Sequence, residues 1–173
     1  MPSLVRHPDT PPGAIHSIEG ELERAPGGAR ATFMAFGDIS RLVLPSPAAP
    51  VRSEGLWRTT CFELFVADSG TGYREFNFSP SSAWAAYRFD DYRQGMRLAE
   101  AQVKLDISHS HNSLTVISEI KSEFPVGGLV GLTAVIEEAD RVIRYWSTGF
   151  APGDPDFHAP AVRSLLFDGV SAE

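Results

Sequence analysis

Several things missing from this chain narrow its possibilities before any pattern is read. It has one cysteine, Cys61, in 173 residues. A single thiol excludes an internal disulfide and any cysteine-rich zinc or iron–sulfur centre. No run of about 18 apolar residues is present, so no membrane-spanning helix is expected. Residues 1–14 are polar and Pro-rich without the apolar stretch of a secretory signal, and a cytoplasmic location is the expectation. Basic residues are few: 15 Lys and Arg stand against 22 Asp and Glu, for a net charge of −7. That balance disfavours a sequence-independent grip on nucleic acid and docking on an anionic membrane. Gly-x-Ser-x-Gly, phosphate-loop and dinucleotide-binding fingerprints are absent. No segment keeps a helical period over eleven or more residues. Glycine and proline, 15 and 13, are too few for a fibrous or disordered chain, and 43% apolar residues can fill the core of one domain over 1–173.

What the chain has is strand after strand. Alternation or β-branched and aromatic content marks 18–23, 31–36, 39–44, 60–67, 73–79 and 84–89, with turns rich in Gly, Ser and Pro between them. The theme repeats at 98–107, 113–120, 129–136, 142–148 and 164–167. About ten strands at spacings near 10–15 residues predict an all-β fold, an antiparallel β-sandwich of jelly-roll or immunoglobulin-like type.

The stretch from 61 to 89 carries the most chemistry. Side chains in a strand alternate between faces. Phe62, Leu64 and Val66 share one face, and Cys61, Glu63 and Phe65 the other. Phe76 and Phe78 oppose Glu75, Asn77 and Ser79; Tyr87 and Phe89 oppose Trp84, Ala86 and Arg88. If the first set in each strand is core, pairing of the three strands leaves a polar patch of Glu63, Glu75, Asn77, Trp84 and Arg88. A flat aromatic beside carboxylates, an amide and a guanidinium suits a polyhydroxylated ligand. The plain alternative is a solvated outer face with a Glu–Arg pair. Trp57, in the loop before these strands, and Trp146, between Arg144 and Thr148 on a later one, either clamp a ring or plug the ends of the fold.

Three blocks carry a family resemblance. Gly55-Leu56-Trp57-Arg58-Thr59-Thr60-Cys61-Phe62-Glu63-Leu64-Phe65, Glu75-Phe76-Asn77-Phe78-Ser79-Pro80 and Trp84-Ala85-Ala86-Tyr87-Arg88-Phe89 resemble the DOMON-like proteins related to carbohydrate-binding module family 9. Tyr145-Trp146-Ser147 and Pro155-Asp156-Phe157-His158 are similar to that group as well, so the resemblance runs over roughly 55–167. It implies a non-catalytic β-sandwich that binds a sugar between two tryptophans, with polar side chains on the hydroxyls. By position Trp57 and Trp146 are the expected pair, Glu63, Glu75, Asn77 and Arg88 the polar partners, and Trp84 an alternative stacker. Relatives in the wider group bind haem, for which the axial candidates are His158, Met1, Met34 and Met96.

Other chemistry is weaker in the sequence. Glu63 and Glu75 are also readable as the acid and nucleophile of a glycoside-processing enzyme. His109 and His111 read as a polar hairpin tip. His158, in a loop of Gly, Pro and Asp, either bonds a ligand or pins the loop. Asp154 and Asp156 are conceivable calcium ligands, without the twelve-residue EF-hand pattern. No cofactor is expected, and the expected partner is a carbohydrate or other small polar ligand.

Overall fold

The computed structural model describes residues 1–168. It contains twelve strands: β1 (Ser3–Arg6), β2 (Ile15–Ala25), β3 (Gly28–Gly37), β4 (Cys61–Ala67), β5 (Tyr73–Phe78), β6 (Trp84–Phe89), β7 (Arg97–Leu98), β8 (Gln102–His109), β9 (Ser113–Lys121), β10 (Gly128–Glu137), β11 (Ile143–Ser147) and β12 (Leu165–Phe167). No α-helix occurs among the described residues, and none of their helical turns is long and apolar enough to cross a membrane. The strands run in the order β7-β6-β5-β4-β10-β11-β1-β2-β3-β9-β8, with β12 also on β10. Each strand pairs antiparallel with its neighbours.

The all-β, antiparallel expectation agrees with this, but the ladder is one curled sheet rather than two separate ones. The link is β1, in a stretch where the sequence pattern gives no strand. Ser3 and Leu4 pair with β2, while Val5 and Arg6 pair with β11. The strand expected over 39–44 is mainly a single 3-10 turn, Ile39–Arg41. There the Asp38 carboxylate accepts from the Ser40 amide at 3.1 Å, a capping bond that competes with extension.

The two halves of the sheet face each other across the core. Phe33 on β3 lies 5.2 Å from Phe62 on β4 and 6.2 Å from Phe78 on β5, ring centre to ring centre. Gly20 on β2 lets the halves approach: a Cβ there would sit 2.9 Å from a Leu132 methyl of β10. On β4 and β5 the opposite face is buried too. It is covered by a second apolar cluster that includes Phe65, Tyr73, Tyr87, Phe89, Phe157 and Val162. Strands covered on both sides lose the apolar–polar alternation of a one-sided sheet, which is why 61–66 reads as a nearly continuous apolar run.

Phe33 joins the halves, so Phe33→Ala is expected to cost about 3–5 kcal/mol of stability, the usual loss for a buried aromatic. Urea denaturation followed by circular dichroism checks it.

Candidate functional site

Strand register decides which side chains meet. Residues directly opposite on antiparallel strands share a face. One rung runs Trp146–Ala134–Phe62–Phe78–Trp84 across β11, β10, β4, β5 and β6. Its members all belong to the main core. The next rung on the other face runs Thr133–Glu63–Asn77–Ala85, and the one after it Phe65–Glu75–Tyr87.

This brings Glu63, Glu75 and Asn77 together as expected, and it corrects three other placements. Trp84 lies in the core with the Arg52 guanidinium over its ring at 4.6 Å. Trp146 is 6% exposed and packs in the same core, so it is not the partner of Trp57 in a clamp. Tyr145, one position earlier, has the cleft side instead. Arg88 is exposed on the opposite face, directly across from Arg74 on β5 and Arg97 on β7. It lines a different groove of ≈ 1330 Å³ with those two arginines. In each case the residue type was compatible with a site and the parity of the strand was not.

Glu63 and Glu75 lie at the floor of a cleft of ≈ 700 Å³. Its walls include Trp57, Tyr87, Phe89, Tyr145 and Phe157, with His158 and Arg93 also lining it. Trp57 stands at the rim on the 3-10 turn Leu56–Arg58, 52% exposed, with the Arg58 guanidinium over its ring. Asn77 is wholly buried beneath the floor. With its amide oriented to satisfy both ends, its nitrogen donates to Glu75 Oε1 at 3.0 Å and to the Phe76 carbonyl at 3.3 Å.

The loop residue His158 is fixed by a chain of hydrogen bonds. The Arg93 amide donates to the Tyr73 hydroxyl oxygen at 3.1 Å, and that hydroxyl lies 2.8 Å from His158 Nδ1. His158 Nε2 lies 3.5 Å from Glu75 Oε2. The consistent proton arrangement has Tyr73 donating to Nδ1 and Nε2–H facing the carboxyl. Arg93 adopts φ 52°, a left-handed conformation that is uncommon for a non-glycine residue, in delivering its amide here. Asp156, a calcium candidate in the sequence, is already engaged. It accepts from Arg93 Nη2 at 2.9 Å, from the His158 amide at 3.0 Å and from the Tyr92 hydroxyl. Tyr73, Tyr87, Phe89, Arg93 and Tyr145 are the site residues the sequence pattern did not single out. The register of β5 with β6 is the signal that would have found the first three.

Burial shapes the electrostatics. It pushes the Glu75 carboxyl up to about 7, opposed by the Asn77 hydrogen bond and the Arg93 charge. Burial and the neighbouring Glu75 hold Glu63 well above the usual carboxylate range, with the Thr133 hydroxyl, 3.3 Å from Oε2, acting against them. Burial and then the Arg93 charge pull His158 down to about 4, so its ring is neutral at pH 7. Cys61, on the same face, is a buried thiol raised by desolvation and by both glutamates, the inert form.

Two outcomes follow. Glu75 gains protons on folding between its unfolded value of 4.5 and about 7, so its contribution is present below pH 4.5 and lost as pH rises through 7. His158 has the opposite sign: its contribution is present above 6.5 and lost as pH falls through about 4. The two oppose each other between about 4.5 and 6.5, and Glu63, raised in the same direction as Glu75, adds its own loss of stability as pH rises. Glu75→Gln removes the loss that Glu75 carries, about 3 kcal/mol spread over pH 4.5 to 7, so the stability difference between variant and parent should change by that amount across this range, and denaturation at pH 4.5 to 7.5 measures it. Trp146→Ala should cost about 3–5 kcal/mol, while Trp57→Ala stays within about 0.5 kcal/mol; thermal melts of both variants separate core from rim.

No protein-family model matches the chain, and no curated protein matches it. Its fold is similar to the crystal structure of a Bacteroides uniformis protein provisionally named as carbohydrate-binding. The TM-score is 0.58 at 11% sequence identity, over 84% of this chain and 75% of that one.

Proposed function

We propose that the protein is a non-catalytic binding module for a carbohydrate and that the cleft over Glu63 and Glu75 is its site. The observation that carries this reading is the convergence of buried polar groups under aromatic walls in one cleft. Glu63, Glu75 and His158 offer directional hydrogen bonds at the floor, while Trp57 and Tyr145 offer ring faces for sugar C–H surfaces. The name of the Bacteroides uniformis protein supports the same class of ligand. On this reading the two facing halves of the sheet form a β-sandwich of jelly-roll type, and the chain is a DOMON-like relative of carbohydrate-binding module family 9. The site departs from the two-tryptophan clamp: Trp57 stacks from the rim, and tyrosine and phenylalanine form the other wall.

A single sugar ring held this way should bind with a Kd on the order of 0.1–1 mM. The test is tryptophan fluorescence against a panel of mono- and oligosaccharides. A saturable change is expected from Trp57, and calorimetric titration of Trp57→Ala, which lacks that reporter, should show affinity weakened about tenfold through loss of stacking. A flat response to every sugar would contradict the reading. A Soret band in the same sample would favour haem, with His158 freed from Tyr73. Turnover of aryl glycosides lost in Glu63→Gln would favour an enzyme.

A further inference from the structure

Resting on the carbohydrate reading, we infer that the sugar this cleft selects carries a free ammonium group, an amino sugar whose charge sits between Glu63 and Glu75. The floor holds two carboxyl groups, 2% and 6% exposed, and neither is paired with a lysine or arginine among the described residues. Thr133 donates to Glu63 Oε2; Oε1 has no hydrogen-bond partner among the described residues. Glu75 faces the Asn77 amide and the neutral His158 ring. Two buried acids side by side, without a lysine or arginine paired to either among the described residues, are costly unless something neutralises them.

The cations around the cleft are held elsewhere. Arg93 is engaged by Asp156 at 2.9 Å and by the Tyr92 hydroxyl at 3.2 Å. Arg58 lies over Trp57 at the rim, and Arg163, behind Tyr73, lies over that ring at 4.6 Å. Glu54 adds a third acid at the rim. Tyr73, Tyr87 and Cys61, each raised by burial, also face the pair and are neutral at pH 7, and the Tyr145 phenol completes the wall. The aromatic walls have a negative ring face and attract a desolvated cation. An ammonium would donate to Glu63 Oε1 and Glu75 at once, forming charge-assisted bonds that a hydroxyl cannot match. The cleft would then hold ionised carboxylates, and complex formation near neutral pH would release a proton to solvent.

The test is isothermal titration of the full chain. Glucosamine, galactosamine and mannosamine are each compared with the neutral parent sugar and the N-acetyl derivative, with ethanolamine as a cation lacking a ring. One amino sugar is expected to bind at least about tenfold tighter than its two uncharged counterparts at pH 7. Glu63→Gln, which keeps the shape but not the charge, should erase that advantage, so that the amino sugar and its neutral parent bind alike. Titrations in buffers of different ionisation enthalpy should show proton release with the amino sugar alone. Equal binding of charged and neutral sugars overturns this inference and leaves the carbohydrate reading standing. Ethanolamine binding with no response to any sugar supports ammonium recognition and overturns the carbohydrate reading. No binding of any of these probes overturns both.

Discussion

Two carboxyl groups share the floor of an aromatic-walled cleft with no lysine or arginine of the described residues within ion-pair distance of either, and much of the site is arranged around that constraint. Glu63 and Glu75 sit on adjacent strands, one place apart diagonally, where the sheet brings side-chain roots to about 7–8 Å or less. Neither can leave, because both rise from strands buried on two faces. The surroundings supply neutral donors in place of charge: the Thr133 hydroxyl, the Asn77 amide and an uncharged imidazole. Tyr73 completes the arrangement by occupying His158 Nδ1, which leaves Nε2–H for the acid.

The fold keeps such a floor rigid by using the same strands twice. One face of β4, β5 and β6 packs on the opposing half of the sheet, and the other carries the cleft. Floor groups therefore stand on rigid elements, whereas rim groups stand on connections. Trp57 comes from a 3-10 turn, Arg93 from the loop between β6 and β7, and His158 from the long loop before β12. Carboxyls fixed on strands and ringed by side chains from connections suit a ligand recognised by a few polar contacts and a ring face.

The all-β class and most strands were legible because alternation and turn residues are local signals. The grouping of Glu75 with Asn77 was legible too, since spacing by two within a strand needs no knowledge of partners, and Glu63 joins them through the pairing of consecutive strands. Across strands the reading failed on parity. Tyr87 and Phe89 look like core by composition, yet Tyr87 stands opposite Glu75 and Trp84 opposite Phe78. When both faces of a strand are buried, hydrophobicity no longer tells which face is the core. The same one-position ambiguity exchanges Trp146 for Tyr145 on β11. His158 was visible only as a loop residue, because its hydrogen-bond partner Tyr73 is 85 positions away.

The most direct test of this account is the titration of glutamate side-chain carboxyls by carbon-13 NMR in the free protein. The account predicts two carboxyls with midpoints displaced upward, one near 7 and removed by Glu75→Gln, the other well above the ordinary range and removed by Glu63→Gln. Ordinary titration of both near 4.5 would mean the floor is wet or already paired with a cation, and would contradict it.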